Sequence, residues 1–210
     1  MSKTKLLTEI QHLKQQKNIT DQITSTIQSF EYYRTATNDE LFSELCYCIL
    51  TANCQAKTCM NIQDTFPHSF SHATTEQITT HLRNHHYRFP NIRSQFIKKA
   101  QIYKNDLKEH LEKNQGLQRR QWLTTHIKGL GMKESSHFLR NIGYPDYAII
   151  DTHIISLLHN YEIIKKPKTI TKKRYLHIEE KLNQIAKETN LTLATLDLYL
   201  WYMKTGWILK

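Results

Sequence analysis

Ile127-Lys128-Gly129-Leu130-Gly131-Met132-Lys133-Glu134 reads as a bend between two helices. On either side, residues 117–127 and 132–142 carry apolar side chains at helical spacing. Two glycines two apart allow a turn too tight for a Cβ. Such a turn leaves backbone N–H groups free at the start of the next helix. With the helix dipole, those groups form a ready anion site. A plain helix–turn–helix closed by a glycine accounts for the same motif, so the bend alone does not settle a function.

Working outward, the chain reads as helix after helix. Residues 3–17 and 20–33 form two polar-faced helices, the second with Ile23, Ile27 and Phe30 in one stripe. Asn38 and Asp39 are expected to cap an apolar helix from Leu41 to Leu50, which Thr51 to Gln55 interrupts before Ala56 to Phe66. Thr74 and Gln77 have capping-box spacing ahead of a helix ending at Asn84. Phe89-Pro90-Asn91 makes a turn, and Ile92 to Lys113 reads as one long helix. Beyond the bend, Gly143 to Asp146 ends a helix and residues 147–150 form an extended apolar link. Asp151 then stands where an N-cap belongs, ahead of His153 to Asn160. A basic loop, Lys165 to Lys173, leads to helices over 173–189 and 192–204. No pair of segments alternates as strands, and with Gly 5 and Pro 4 the turns are few, so the fold class is all-α.

Composition agrees. The 210 residues suffice for one medium domain or two small lobes. Hydrophobic residues make up 39% and the mean hydropathy is −0.60, which describes a soluble globular chain without a membrane span of about 20 apolar residues. The N-terminus lacks the apolar region of a secretory signal. Lys and Arg number 29 against 19 acids, a net charge of +10. That balance points to a polyanion, either nucleic acid or an anionic membrane surface. Cys46, Cys48, Cys54 and Cys59 match no zinc-finger spacing and read as reduced thiols on buried helices, in an intracellular compartment.

Lys133 falls on the first turn of the helix after the bend, beside Lys128. The helix dipole, a second cation and burial would each favour its neutral form. A neutral amine is a nucleophile able to form a Schiff base. Asp151 follows eighteen residues later, and a carboxylate could steady positive charge on a sugar or orient the amine. A solvated lysine and a helix cap are the ordinary readings of the same two residues.

The run Ile127 to Gly143, followed by Ala148-Ile149-Ile150-Asp151-Thr152-His153, resembles the helix-hairpin-helix DNA glycosylase superfamily. Its short, second-type 8-oxoguanine DNA glycosylase/AP lyases are the most similar branch. Weaker agreement extends to Cys48–Asn53, Arg88–Arg93 and Asp197–Gly206. The resemblance implies a bilobal helical fold with double-stranded DNA held across a cleft. One lobe would be residues 36–142, the other 1–35 plus 145–210. Lys133 and Asp151 would then face each other, as nucleophile and paired carboxylate. Gly129 and Gly131, with Lys128 beside them, would present the hairpin to a phosphate, and His153 would contact another. Phe89 and Trp201 would hold the extruded base between them, Lys210 would help to tell 8-oxoguanine from guanine, and Asn53 would fill the gap left in the duplex. A monomer needing no metal or organic cofactor is implied. Thr152 stands where the family leads one to expect a basic residue.

Two other readings of the sequence stay open. The same fold could act on an oxidised pyrimidine or uracil, against which Trp201 and Lys210 speak. A non-catalytic hairpin module would bind DNA without needing both Lys133 and Asp151.

Overall fold

The computed structural model describes residues 2–52, 54–66 and 69–210. Twelve α-helices occur among them: α1 (Lys3–Gln15), α2 (Lys17–Tyr32), α3 (Asn38–Thr51), α4 (Ala56–Thr65), α5 (Thr75–Asn84), α6 (Pro90–Ala100), α7 (Leu107–Lys113), α8 (Gly116–His126), α9 (Met132–Asn141), α10 (Thr152–Asn160), α11 (Lys172–Thr189) and α12 (Leu193–Thr205). No strand is present among the described residues, and no helix is long and apolar enough to cross a membrane. The chain divides into two compact units, Tyr33–Ile142 and Met1–Tyr32 with Gly143–Lys210.

In the continuous unit, α3 is apolar all round and buried along most of its length, from Leu41 to Thr51. A helix without a polar face must be covered on every side, and α4, α6, α7 and α9 pack against it. The charged residue within that stretch is Glu44, buried at 1% exposure. A lone buried carboxylate is costly, so its oxygens need donors. Asn141 Nδ2 donates to Glu44 Oε1 at 2.6 Å and Gln63 Nε2 to Oε2 at 3.3 Å. Arg140 then donates from Nε and Nη2 to Asn141 Oδ1 at 3.0 and 2.8 Å. This chain of bonds locks the end of α9 onto α3. Arg120, 1% exposed, donates from Nη1 to Ser136 Oγ at 3.1 Å and locks α8 to α9. Both helices of the bend are thereby held by buried polar bonds as well as by apolar packing.

Two expected elements differ. Asn38 does not cap α3: Thr37 does, accepting from Glu40 N at 3.3 Å while Glu40 Oε2 accepts from Thr37 N at 2.8 Å. Asn38 instead caps α7, 70 positions away, its Oδ1 accepting from Lys108 N at 2.9 Å. The expected helix from Ile92 to Lys113 is correspondingly broken into α6, a 3₁₀ turn at Gln101–Tyr103, and α7. Gln101 Nε2 donates to the carbonyls of Phe70 and Ala73, both at 2.8 Å, and Lys104 Nζ to that of Ser71 at 3.0 Å. These bonds to a neighbouring loop replace helix continuation.

In the other unit, Ile19, Ile23 and Phe30 of α2 meet Leu198 and Tyr199 of α12 in one buried cluster, with Ile208 packed against it. The extended link over residues 147–150 is held by α11. Tyr175 Oη donates to Ala148 O at 2.7 Å and accepts from Ile150 N at 3.2 Å, and Glu179 Oε1 accepts from Ala148 N at 3.0 Å.

Candidate active site

The bend in the continuous unit is tighter at one glycine than at the other. Gly129 has φ +94°, a region closed to most side chains. A Cβ there would lie 2.6 Å from Phe96 Cδ2 and 3.2 Å from Arg93 Nη1. Gly131 has extended backbone, φ −92° and ψ −167°, and a Cβ would meet only the carboxylate end of Glu134 at 3.3 Å. The expectation of a turn too tight for a Cβ therefore holds for Gly129 and not for Gly131. Gly129→Ala is expected to cost more than about 2 kcal/mol, from backbone strain and overpacking together. Gly131→Ser, which supplies a capping oxygen, should stay within about 1 kcal/mol of the parent chain. Urea unfolding midpoints of the two variants, compared at unchanged slope, check the contrast.

Gly131 N donates to Glu134 Oε2 at 3.3 Å, so this amide is engaged by the protein's own carboxylate. A carboxylate on the first turn is favoured by the dipole. Its other oxygen lies 3.9 Å from Lys133 Nζ. Lys133 is thus on the first turn of α9 and half-buried. Lys128 is exposed.

Arg93 ties this corner together. It is 7% exposed, donates from Nη2 to Ala52 O at 3.0 Å, and lies over the Phe96 ring at 5.5 Å. Burial pushes the Cys59 thiol pKa up, and neighbouring Cys54 adds to the shift, against the charges of Lys133 and Arg93. Cys59, Arg93 and Lys133 are therefore electrostatic neighbours. The four cysteines are free thiols, three buried and Cys54 half-buried.

Phe89 is the residue before α6 and stays 37% exposed, with the Arg88 guanidinium 4.9 Å from its ring centre. Phe96, which touches Gly129, lies seven residues further along, about 10 Å at 1.5 Å per residue. One helix thus carries both an exposed ring and the support of the bend. Asn53 lies outside the described residues.

In the second unit Asp151 is an N-cap, as its position predicts. Its Oδ1 accepts from His153 N and Ile154 N, both at 2.9 Å. The His153 ring meets Trp201 of α12 edge to face, with centroids 5.3 Å apart and planes at 90°. Asp151, His153 and Trp201 are therefore brought together, while Thr152 is the exposed first residue of α10. Past α12, Gly206 ends the helix in the left-handed region at φ +74°. Ile208 folds back on the α2–α12 cluster, and Lys210 is half-buried beyond it.

Spacing alone reveals neither Arg93 nor Phe96, because each reaches the bend from more than thirty residues away. Glu134 was within reach of the sequence, since a Gly131-x-x-Glu134 step has capping-box spacing.

Comparison with known proteins adds the family. A model of the helix-hairpin-helix 8-oxoguanine DNA glycosylases matches residues 23–191. The 8-oxoguanine DNA glycosylase/AP lyase of Methanocaldococcus jannaschii is 42% identical over 208 residues, covering 98% of this chain and 99% of that protein. That of Korarchaeum cryptofilum is 40% identical over 183 residues, covering 86% and 87%. The M. jannaschii enzyme in complex with a 15-mer DNA containing 8-oxoguanine superposes with a TM-score of 0.93 at 41% identity, covering 98% of this chain and 99% of that one. The Thermotoga maritima glycosylase superposes at 0.91 and 33% identity, covering 99% of each. All-helical among its described residues and matched along most of its length, this protein belongs to the helix-hairpin-helix 8-oxoguanine DNA glycosylase family.

Proposed function

We propose that this chain removes 8-oxoguanine from duplex DNA and then cuts the strand, with Lys133 as the attacking amine and Asp151 as the carboxylate acting in the same chemistry. The carrying observation is Lys133 itself, a half-buried amine on the first turn after a positive-φ glycine. The full-length relatives named glycosylase/AP lyase support the same reading.

The sugar carbon is out of reach inside a duplex, so the damaged nucleotide must leave the stack. Lys133 Nζ bonds to that carbon as the carbon–base bond breaks, and the base departs with a proton. Positive charge on the sugar is steadied by the Asp151 carboxylate. The ring opens to an imine between Nζ and the sugar. The imine withdraws electrons, a proton leaves the adjacent carbon, and the bond to the 3′ oxygen breaks. Water then releases Lys133. The amine supplies the electron sink, so this route calls for no metal or organic cofactor. The protein acts as a monomer, in the cytoplasm beside the chromosome.

Phe89 and Trp201 are the rings between which the extruded base stacks, each such contact being worth roughly 1–3 kcal/mol. The hairpin amides, Lys128 and His153 hold phosphates, which positions the duplex without reading its sequence. Lys210 takes part in distinguishing 8-oxoguanine, whose N7–H is a donor that guanine lacks. A site built to accept that hydrogen is left unsatisfied by guanine. Deleting Lys210 is expected to narrow the single-turnover preference for 8-oxoguanine over guanine at least about tenfold, on the scale of one lost buried hydrogen bond. An unchanged ratio would show that this lysine is not part of the recognition.

Borohydride trapping on a panel of duplexes, each with one defined lesion, tests the whole reading. A covalent adduct on 8-oxoguanine duplex and none on oxidised pyrimidine or uracil is the expected result. Binding without any adduct would turn the protein into a hairpin DNA-binding module.

A further inference from the structure

From Ile163 to Ile178 the chain carries no acidic residue, while Lys165, Lys166, Lys168, Lys172, Lys173 and Arg174 fall within ten positions. All six are exposed. The last three of the six occupy the first turn of α11, where no acid is present. That end of a helix dipole repels cations. A local choice that works against the helix it sits on is the kind of conflict that marks a binding surface.

The patch is held in place. Arg174 Nη1 donates to Thr169 O at 2.9 Å, and Thr171 Oγ1 accepts from Arg174 N at 3.3 Å, which fastens the loop onto the helix start. The next residue, Tyr175, is the one that grips Ala148 and Ile150, immediately before Asp151. Lys172, Lys173 and Arg174 are therefore the three residues before the one whose hydroxyl holds the link leading to Asp151, within about one helical turn of it.

We infer that Lys165, Lys166, Lys168, Lys172 and Lys173 form a docking surface for the DNA backbone beside the nucleotide on which Asp151 acts, separate from the hairpin. This rests on the glycosylase reading above. The surface reads charge, not sequence, and holds undamaged duplex as well as damaged.

The test replaces these five lysines by glutamine in the full chain and measures duplex affinity across a salt series. Each phosphate contact contributes about 0.9 to the slope of log affinity against log salt. The slope is expected to fall by about 2–4 and affinity near 0.1 M salt to fall at least about tenfold. Single-turnover base release at saturating enzyme should stay within about twofold. A triple variant at Lys165, Lys166 and Lys168 leaves α11 intact and should give part of the same loss. A charge-matched control replaces Lys3, Lys5, Lys17, Lys181 and Lys187. An unchanged slope in a folded five-lysine variant, or an equal loss in the control, overturns the inference. Undamaged duplex serves for the binding arm, so the slope still decides the matter if the chain releases no 8-oxoguanine at all.

Discussion

Lys133→Gln is expected to give no borohydride-trapped adduct on 8-oxoguanine duplex and to slow base release at least about a thousandfold, while duplex affinity changes less than about threefold. The size follows from the proposed role: removing a nucleophile removes the reaction path and not merely one contact. Persistence of binding follows from the geometry. Lys133 has 27% side-chain exposure, and its ion pair with Glu134 spans 3.9 Å. A pair that open is worth about 0–1 kcal/mol, and glutamine is as good a helix former as lysine. The fold should therefore survive, and inactivity could not be charged to unfolding. Single-turnover base release and a gel-shift titration of the same preparation separate the two quantities. Trapping that persists in the variant would move the nucleophile to another amine, with Lys128 the first to test.

How much of this could be read from the residues differs from element to element. Helix starts that use a local side chain were legible: Thr74 with Gln77 and Asp151 with its two following amides both sit as spacing predicts. Asn38 shows the limit. It is a capping residue by type and does cap a helix, but the helix is α7, brought to it by tertiary packing. The apolar period from Ile92 to Lys113, with Phe96, Ile97, Ala100, Tyr103 and Leu107 facing inward, was real in part: Ile97, Ala100 and Leu107 are buried, Phe96 and Tyr103 half-buried. Periodicity reports which face is covered and is silent about a break that Gln101 and Lys104 fill with bonds to residues 70–73. At the site, the bend and Lys133 were visible because a tight turn needs glycine. The second reason Gly129 must be glycine, beyond its positive φ, was not visible, because it lies in the Phe96 ring and the Arg93 guanidinium.

Asp151 poses the sharpest separation of structure from chemistry, because one oxygen serves the helix while the proposed role in the reaction rests on the charge. Its Oδ1 accepts from two amides at 2.9 Å. Asparagine presents the same oxygen and is among the best N-caps, whereas alanine forfeits about 0.5–2 kcal/mol of cap. Loss of the charge at a helix start costs asparagine about 0.3–1 kcal/mol as well. Asp151→Asn should therefore stay folded, at a midpoint above that of Asp151→Ala. Base release should nevertheless fall about 10²–10⁴-fold in both variants, the range for removing one group that stabilises transition-state charge or transfers a proton. Duplex affinity should hold or rise slightly, since a negative charge has left a surface that meets a polyanion. A duplex carrying a preformed abasic site then assigns the role. If Asp151 steadies the sugar cation, strand cutting at that site should survive far better than base release, because no carbon–base bond remains to break. If it orients the Lys133 amine, both steps should fall together. Full base release by Asp151→Asn would leave Asp151 as a helix cap and nothing more.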